Sequence, residues 1–413
     1  MSKLQPYTTY YPVQYDYVSQ LPEGWQLLPN ISIFRERIER GYDNEELLSV
    51  TIGKGVIRQS DVDIKKDSSN EDKSKYKLIK VGDIAYNRMR MWQGALGYSE
   101  YQGITSPAYV VLKPRMKINQ RFFHYMLRTG FYTNYSKRFS YGIVDDQLSL
   151  RYVDFKRMYS IVPPLETQNT IVAYLDRKTQ QIQEFIAKKE RLIELLEEQK
   201  KSVISQELRN CKDELKLKYI LRIQNGDGIA SDLIQNEGLY EVYGGNGVLG
   251  YYSKFNNSNE TIIIGRVGAL CGNVHYTNSE IWVNDNAMFV KTKHYYKYIF
   301  YLLKGANLNS LSFANAQPLI TGTLVKNQPV NFEKDFNKQI SIVLTIEKRL
   351  KTIDDAINKA QSEIEKAKEY QESLITQIVT GQLKVPEKSN ASLRQNIELG
   401  MVAESNGIYR SKH

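Results

Sequence analysis

Two stretches of this chain, residues 168–206 and 339–377, carry the same pattern of apolar and polar positions and align without a gap. Within each stretch, apolar residues recur at the three-, four- and seven-residue spacings of a coiled-coil helix. The apolar positions that they share include Ile171/Ile342, Ile182/Ile353, Ile186/Ile357 and Ile193/Ile364. At about 1.5 Å per residue, each stretch predicts a helix on the order of 60 Å long. Because an apolar stripe must be covered, we expect the two helices to pack against each other.

A region of short strand-like runs precedes each of these helices. Runs rich in β-branched and aromatic residues are separated by Gly, Asp and Asn turns. They predict strands at 48–52, 76–79, 84–86 and 108–112 in the first region, and at 239–243, 261–264, 274–276 and 287–290 in the second. Helical periodicity follows at 119–137 and at 295–303. Residues 1–20 show no periodicity, so we expect them to form an extended arm or a lead-in.

The repeated order of strands, short helix and long helix predicts an α+β chain that is built twice. Two β-rich mixed domains would be separated by two long helices in a pseudo-two-fold arrangement. The predicted parts are a first β-rich domain at 1–162, a first spacer helix at 163–211, a second β-rich domain at 212–330, a second spacer helix at 331–384 and a mobile C-terminal tail at 385–413. Such a chain can present two similar surfaces at a set distance, which suits a polymeric target.

Composition and charge narrow the class of protein. The chain has 413 residues, 30 of them Tyr, and a net charge of +10, which suits a polyanionic partner. Its two cysteines, Cys211 and Cys271, have neither metal-ligand spacing nor a disulfide framework, which favours a reducing compartment. The N-terminal residues lack the apolar segment of a signal peptide, and no apolar run reaches membrane-spanning length. We therefore expect a cytoplasmic protein with no membrane partner.

The sequence offers no motif for nucleotide hydrolysis or methyl transfer. It lacks a phosphate-binding GxxxxGK[ST] loop. The glycine-rich segment 244–247 has the Asn-Gly of a hairpin turn rather than the start of a helix. The four histidines are scattered, without the spacing of metal ligands or general bases. We therefore predict a chain that is not an enzyme, with no catalytic residue and no metal site.

Several loops between the predicted strands carry side chains that suit contact with nucleic acid. Cations bind phosphates, Arg pairs with guanine edges, and Asn pairs with adenine edges. The residues predicted to contact DNA are Arg58, Lys65, Lys66, Arg88, Arg90, Trp92 and Tyr141 in the first region, and Tyr243, Asn246, Arg266, Asn284 and Asn286 in the second. Arg88 and Arg266 each precede a Gly-Ala-Leu string by a few residues. Both copies thus place an arginine at the same point.

Longer strings in the chain are typical of one protein family. They are the segments 82–89, 103–109, 242–247 and 263–268, the opening of the first long helix at 163–168, and the end of the second at 377–383. Together they resemble the specificity subunit of type I restriction–modification systems, over residues 20–384. The second helix lacks the Pro-Pro-Leu-Glu opening of the first and follows Pro329-Val330-Asn331-Phe332 instead, so we expect its docking turn to differ.

This resemblance implies a non-catalytic reader of double-stranded DNA. Each β-rich domain would be a target recognition domain that binds one half of a split sequence. The two helices would pair antiparallel as a coiled coil and fix the gap between the halves. The implied partners are modification (adenine methyltransferase) subunits, commonly two, and restriction subunits that carry the ATP-driven translocase and nuclease. S-adenosylmethionine, ATP and Mg²⁺ would belong to those partners, which leaves this chain without a cofactor of its own.

Two other classes of protein stay open at this point. One is a coiled-coil scaffold with Tyr-rich domains and no role in DNA binding, against which the duplicated arginines and the basic charge argue. The other is an enzyme with an unrecognised site, which the missing catalytic motifs disfavour. A scaffold would show no salt-sensitive binding to random DNA, and an enzyme would show turnover by the purified chain alone.

Overall fold

The structure is a computed structural model that describes residues 4–15, 17–62, 72–142, 148–211, 213–311 and 318–386. The chain packs as two compact units. One contains the residues up to Ile186 and those from Glu365 onward, and the other runs from Ala187 to Ile364. The division into recognition domains, spacer helices and tail is a division by function and stays a prediction. The predicted tail beyond residue 386 lies outside the described residues.

The first unit is built mostly from short antiparallel strands. Its elements ahead of the first long helix are β1 (Tyr10–Tyr15), β2 (Val18–Pro22), β3 (Gln26–Pro29), α1 (Asn30–Ile33), β4 (Phe34–Glu36), β5 (Leu48–Thr51), β6 (Gly55–Arg58), β7 (Lys77–Ile79), β8 (Ile84–Asn87), β9 (Leu96–Tyr98), β10 (Gly103–Thr105), β11 (Tyr109–Pro114), α2 (Gln120–Leu127), α3 (Gly130–Phe139), α4 (Tyr152–Phe155) and β12 (Tyr159–Val162). Within the described residues, the central sheet has the antiparallel order β4-β11-β8-β9, and β3 pairs with β12. Alternate residues of β8 and β11 point into a core that also receives Phe122 and Met126 from α2.

The segment 119–137, which the sequence predicts as one helical pattern, forms the two helices α2 and α3. Thr129 is extended at the break, and its hydroxyl donates a hydrogen bond to the carbonyl of Met126 at 2.6 Å. Arg128 donates to two carbonyls of the β5–β6 turn, at 2.8 and 2.7 Å. The break therefore coincides with a long-range contact that helical periodicity does not encode.

Residues 10–15 and 18–22 form the two strands of a packed hairpin, so the expectation of an extended arm is wrong. Strands β1 and β2 pair antiparallel. The hydroxyl of Tyr15 lies 2.6 Å from the hydroxyl of Tyr135, and the hydroxyl of Tyr10 donates to the carbonyl of Gly381 at 2.9 Å. These partners lie far along the chain, which is why the local pattern of residues 1–20 does not reveal the hairpin.

The second unit repeats this architecture. After the first long helix, α5 (Leu165–Arg209), come β13 (Asp213–Lys216), β14 (Leu221–Asn225), β15 (Tyr240–Gly244), β16 (Gly247–Tyr252), β17 (Thr261–Gly265), β18 (Val274–Thr277), β19 (Ile281–Val283), β20 (Ala287–Thr292), α6 (Tyr296–Gly305), α7 (Gly322–Lys326), β21 (Pro329–Phe332) and the second long helix, α8 (Phe336–Val379). The described strands of its central sheet have the antiparallel order β14-β20-β17-β18. A smaller sheet, β16-β15-β19, carries the glycine-rich hairpin.

The two central sheets correspond strand for strand. Strands β4, β11, β8 and β9 match β14, β20, β17 and β18 in order and in direction. In each copy, the strand that leads into the long helix (β12 or β21) pairs with the strand that precedes the sheet (β3 or β13). The predicted strands are present in both regions, with ends displaced by one or two residues. The predicted α+β duplication is confirmed.

Within the second unit, the two long helices run antiparallel. Ion pairs join Glu207 to Arg349, Lys200 to Asp354 and Lys189 to Glu363, at 2.6, 2.7 and 2.6 Å. Exposed pairs of this kind contribute little to stability. The apolar seam contributes more, because Val203 packs with Ile353 and Ile357. In the first unit, Leu175 of α5 shares a core with Ile378 of α8.

A buried glutamine anchors the start of α5. Gln168 is 1% exposed. Its amide donates to the carbonyl of Pro163 at 2.8 Å and accepts from the backbone N–H of Asn119, which precedes α2, also at 2.8 Å. Beside it, Arg121 of α2 approaches Asp176 of α5 at 3.3 Å. These contacts fix the short helix of the first β-rich region against the long helix.

Gln339 makes the same pair of hydrogen bonds at the start of α8. It is fully buried, donates to the carbonyl of Glu333 at 2.7 Å and accepts from the N–H of Tyr295, which precedes α6, at 3.1 Å. Lys297 of α6 approaches Glu347 of α8 at 2.9 Å. The turn before α8 (333–335) is one residue longer than the turn before α5 (163–164), so the docking turn differs as expected, while the glutamine makes equivalent bonds.

Candidate nucleic-acid interface

Arg88 and Arg266 occupy equivalent places in the two central sheets. Arg88 directly follows β8, and Arg266 directly follows β17, the corresponding strand. The N–H of each arginine donates to the carbonyl of the residue just before the neighbouring strand, β11 or β20, at 3.4 and 3.0 Å. The carbonyl of each accepts from a more distant residue, Leu150 or Ile320, at 2.9 Å in both copies. The two arginines are therefore structurally equivalent, while their contact with DNA stays a prediction.

The guanidinium group of Arg88 has an open hydrogen-bond donor. Its Nε is buried and has no hydrogen-bond partner among the described residues. A buried donor without an acceptor costs about 1–3 kcal/mol. An acceptor oxygen, which both guanine edges and phosphates supply, would remove that cost once a movement of the side chain exposed the buried atom.

Trp92 and Arg90 lie in the loop that follows Arg88. Trp92 belongs to the short 3₁₀ turn Met91–Gln93, and its Nε1 donates to the carbonyl of Met89 at 3.1 Å. The ammonium group of Lys137, from α3, lies 5.0 Å from the centre of the Trp92 ring. Arg90 is exposed. The β8–β9 connection thus brings three of the predicted residues together.

Tyr141 joins this group through the backbone. It pairs with Ser149, whose neighbour Leu150 bonds to the carbonyl of Arg88. The Tyr141 side chain is 77% exposed, and the guanidinium of Arg151 lies 5.8 Å from its ring centre. Exposed aromatic rings beside cations suit both stacking on bases and pairing with phosphates. Sequence reasoning missed Lys137 and Arg151, because neither is close in sequence to the ring that it contacts.

The other three predicted residues of the first region lie elsewhere. Arg58, at the end of β6, is exposed, approaches Glu46 at 3.4 Å and lies 4.9 Å from the centre of the Tyr101 ring. Lys65 and Lys66 lie outside the described residues. Arg88, Arg90, Trp92 and Tyr141 therefore lie together. Arg58 lies apart from them, beside Glu46 and Tyr101.

In the second unit, the β15–β16 hairpin turn packs directly against the end of β17, the strand just before Arg266. The predicted hairpin is present; Gly244 pairs with Gly247, so its turn residues are Gly245-Asn246, one position before the Asn-Gly pair. A Cβ on Gly265 would lie only 1.9 Å from the carbonyl oxygen of Gly245. Only glycine permits this approach, which brings Asn246 and Arg266 onto one surface.

A chain of amide side chains extends from the tip of this turn. Asn273 donates from Nδ2 to Oδ1 of Asn246 at 3.1 Å, and Asn309 donates to Oδ1 of Asn273 at 3.1 Å. Amide groups of this kind read adenine edges. Sequence reasoning missed Asn273 and Asn309. Asn273 is held at this surface by its carbonyl, which accepts from the N–H of Gly265, the residue just before Arg266, and this contact is visible only in the structure.

Asn284 and Asn286 complete the same surface with different roles. Asn284 is only 4% exposed, and its Oδ1 accepts from the N–H of Asn286 at 3.0 Å. It is placed to shape the loop rather than to present its own amide. Asn286 is exposed, and the guanidinium of Arg266 donates to the carbonyl of Asp285 at 3.3 Å.

Tyr243 lies on β15 beside this loop, with its backbone carbonyl bonded to the N–H of Asn284 at 2.9 Å. Burial, followed by the nearby carboxylate of Glu241, raises the pKa of Tyr243 to about 12. The phenol is therefore protonated at neutral pH, and its hydrogen bond to Glu241 favours that form. All five residues predicted in the second region thus come together.

The surfaces around Arg88 and Arg266 carry hydrogen-bond donors, acceptors and aromatic rings. The described residues contain no group of three or more His, Cys, Asp or Glu arranged to hold a metal ion. Among the same residues, no helix combines the length and apolar content of a bilayer span. The chemistry present is that of hydrogen bonding, charge and stacking, the three means by which proteins contact nucleic acids.

Comparison with known proteins agrees with this chemistry. A family model described as the type I restriction modification DNA specificity domain matches residues 212–366. A curated relative, the EcoprrI type I restriction enzyme specificity subunit of Escherichia coli, is 29% identical over 136 residues, which are 31% of this chain. The match spans 33% of that relative's length.

Solved structures share the fold at low sequence identity. A chain from a type I R-M system, solved for its complex assembly and conformational transition, gives a TM-score of 0.69 at 14% identity, over 88% of this chain and 99% of that one. The HsdS subunit from Thermoanaerobacter tengcongensis gives a TM-score of 0.51 at 15% identity, over 88% and 98% of the two chains. Residues 212–366 are thus similar to type I restriction modification DNA specificity domains, and the fold of the chain is similar to that of an HsdS subunit.

Proposed function

We propose that this chain is the DNA sequence-specificity subunit of a type I restriction–modification complex, with two target recognition domains that each read one half of a split site. The observation that carries the proposal is the equivalence of Arg88 and Arg266. In two sheets of the same topology, an arginine directly follows the corresponding strand. The similarity of residues 212–366 to type I DNA specificity domains supports a role in DNA recognition.

The neighbours of the two arginines differ, which supports two different half-site sequences. Arg88 lies among cations and exposed rings, including Arg90 and Tyr141. Arg266 lies among amides, including Asn246 and Asn286. Since arginine favours guanine and asparagine favours adenine, the second domain is expected to read a site richer in adenine contacts.

The two long helices are proposed to set the length of the unread spacer. Each contributes to both compact units. Coiled-coil packing is stiff along the helix axis, so a change in helix length would change the spacer and not the half-sites. Half-sites read from one side of B-DNA repeat at about 34 Å, a length that helices of this size can accommodate.

The partners are proposed to be two modification subunits and the restriction subunits, which would carry S-adenosylmethionine, ATP and Mg²⁺. Apolar side chains exposed on the long helices support docking of other proteins there. Leu192 and Leu195 of α5 are 40% and 46% exposed, and Leu344 of α8 is 61% exposed. On this proposal the chain itself performs no catalysis and acts in the cytoplasm.

Genome-wide mapping of methylated adenines tests the proposal. Cells that carry the gene for this chain together with a type I modification subunit should methylate a two-part sequence with a fixed unread gap. The methylation should disappear when this gene alone is deleted, because the modification subunit has lost its reader. An unchanged pattern would contradict the proposal. The coiled-coil scaffold is the alternative, and it predicts in addition that the purified chain shows no salt-sensitive binding to random duplex DNA.

A further inference from the structure

A second basic surface lies in the second unit, at the opposite end of β20 from Asn286. Four exposed cations line a groove there, namely Lys218, Arg222, Lys291 and Lys293. The other residues of the groove are Tyr219, Ile220, Leu221 and Thr292, so no carboxylate lines it. We call this groove, with its four cations, the β14–β20 basic groove.

Two of these cations face each other across the sheet. Arg222 of β14 pairs directly with Lys291 of β20 in the antiparallel register. Like charges placed directly opposite each other destabilise a sheet. Neither side chain has an ion pair among the residues that the structure describes. An anionic ligand would supply the missing counter-charge.

The groove lies on the same side of the sheet as the hairpin that carries Asn246. Lys291 shares a face with Phe289, whose ring centre lies 5.6 Å from its ammonium group. Phe289 packs in turn on the apolar cluster that includes Tyr243. Lys291 is five residues along β20 from Asn286, about 17 Å at about 3.3 Å per residue. Duplex DNA carries about one charge per 1.7 Å of axis, so a duplex held at the hairpin presents roughly ten phosphates over that distance.

We propose that the β14–β20 basic groove binds backbone phosphates of duplex DNA beyond the bases that the loops read. The inference rests on the proposed function. Its competitor is protection of an exposed sheet edge, because charged side chains on an edge strand such as β14 also prevent strand pairing between molecules. The two ideas differ in one respect: only phosphate binding makes the four cations contribute to the salt dependence of DNA affinity.

The test is a salt titration of the full-length chain with a mixed-sequence duplex of roughly 40 base pairs, about four helical turns. The variant Arg222→Gln/Lys291→Gln should flatten the plot of log affinity against log salt by about 2, since each phosphate contact contributes about 0.9. A matched control, Lys348→Gln/Lys351→Gln, removes the same charge from exposed positions on α8 and should leave the slope unchanged. A second variant, Lys218→Gln/Lys293→Gln, lies outside the strands and leaves the sheet edge intact, so it should flatten the slope even if the first variant aggregates.

Each outcome decides between the ideas. Wild-type slopes in both groove variants would overturn the phosphate-binding groove and leave the proposed function standing. Equal flattening by the α8 control would also overturn it, because net charge alone would then explain the effect. If the wild-type chain shows no salt-dependent binding at all, the proposed function fails and the groove proposal fails with it.

Discussion

Arg88 and Arg266 stand at equivalent points among different neighbours, so each is expected to serve one half-site only. Arg88→Ala should relax recognition of one half of the split sequence, and Arg266→Ala should relax recognition of the other. A bidentate contact from arginine to guanine provides about 1–3 kcal/mol of discrimination, which corresponds to a loss of roughly five- to 150-fold in preference. The measurement is competition binding with duplexes that carry one altered half-site at a time.

Arg115 provides a control in the first unit, because it is exposed and lies outside the Arg88 surface. Arg115→Ala should leave both half-site preferences unchanged. Circular dichroism should show native folding for all three variants. If either Arg88→Ala or Arg266→Ala unfolds its unit, the arginine is structural and its assignment to base reading is wrong.

His124 links the stability of the first unit to pH. Its Nδ1 accepts from the backbone N–H of Tyr98 at 3.1 Å. Burial, together with the charges of Arg128 and Arg121, lowers the pKa of His124 from 6.5 to about 3. The unfolded chain therefore binds a proton between pH 6.5 and 3 that the folded chain does not, and stability falls as pH drops through this range. Between pH 7.5 and 5.5, this one group should remove about 1 kcal/mol of unfolding free energy.

The variant His124→Asn isolates that effect, because its side-chain oxygen can still accept from Tyr98 and does not titrate. Urea unfolding at pH 7.5 and 5.5, followed by tryptophan fluorescence, should show a smaller pH-dependent loss in the variant than in the wild type. Burial also lowers the pKa values of His275 and His294, so a residual pH dependence of the same sign is expected in both proteins. An equal loss in the two proteins would show that His124 does not remain neutral in the folded state.

The sequence located the loops of the candidate interface better than it located the side chains within them. It placed Arg88 and Arg266 correctly as a matched pair, because the adjoining strings repeat. It did not identify Lys137 or Asn309, whose partners lie far away in the chain. It also could not separate Asn284, whose amide shapes the loop, from the exposed Asn286. Composition identifies suitable side chains, but only tertiary packing decides which of them face outward.

Gln168 and Gln339 should each protect one backbone N–H in their own unit. Replacing either by Leu leaves a buried donor and a buried acceptor unpaired, at a cost of about 1–3 kcal/mol each. Hydrogen exchange should therefore accelerate at the N–H of Asn119 in Gln168→Leu, and at the N–H of Tyr295 in Gln339→Leu. Gln199 is exposed on α5, and Gln199→Leu should change neither rate. Equal acceleration at both sites in one variant would indicate general unfolding instead of loss of one anchor.

Periodic elements were predictable, and elements held by distant partners were not. The long helices and five strands of the central sheets (β8, β11, β17, β18 and β20) follow from local pattern, since each has a continuous stripe or a buried run, whereas β4, β9 and β14 were not predicted. Strands β1 and β2 were missed because their partners, such as Gly381, lie at the other end of the chain. The alignment of the two long helices placed Gln168 and Gln339 at equivalent positions. Their hydrogen bonds to the residues before each helix could be identified only from the structure.

The duplicated sheet and the paired long helices place two demands on the proposed function. The two central sheets must carry different DNA-contacting loops, and the length of the unread spacer must depend on the length of the long helices alone. The structure meets the first demand, because the two central sheets have the same strand order while the loops that they carry differ. The second concerns the length of the long helices, which contribute to both units. It can be tested by lengthening the helices and leaving both candidate DNA interfaces unchanged.

A matched insertion of seven residues into both long helices, after Ile186 in α5 and after Ile364 in α8, should lengthen the unread spacer and preserve both half-site sequences. Seven residues maintain the apolar seam and add about 10 Å of helix, which corresponds to roughly three base pairs at about 3.4 Å each. Mapping of methylated adenines in cells with the partner subunits measures the spacer directly. The same seven residues inserted after residue 386, beyond the described chain, should leave the spacer as it was. If the double insertion changed a half-site sequence, or left the spacer at its original length, the long helices would not set the spacing.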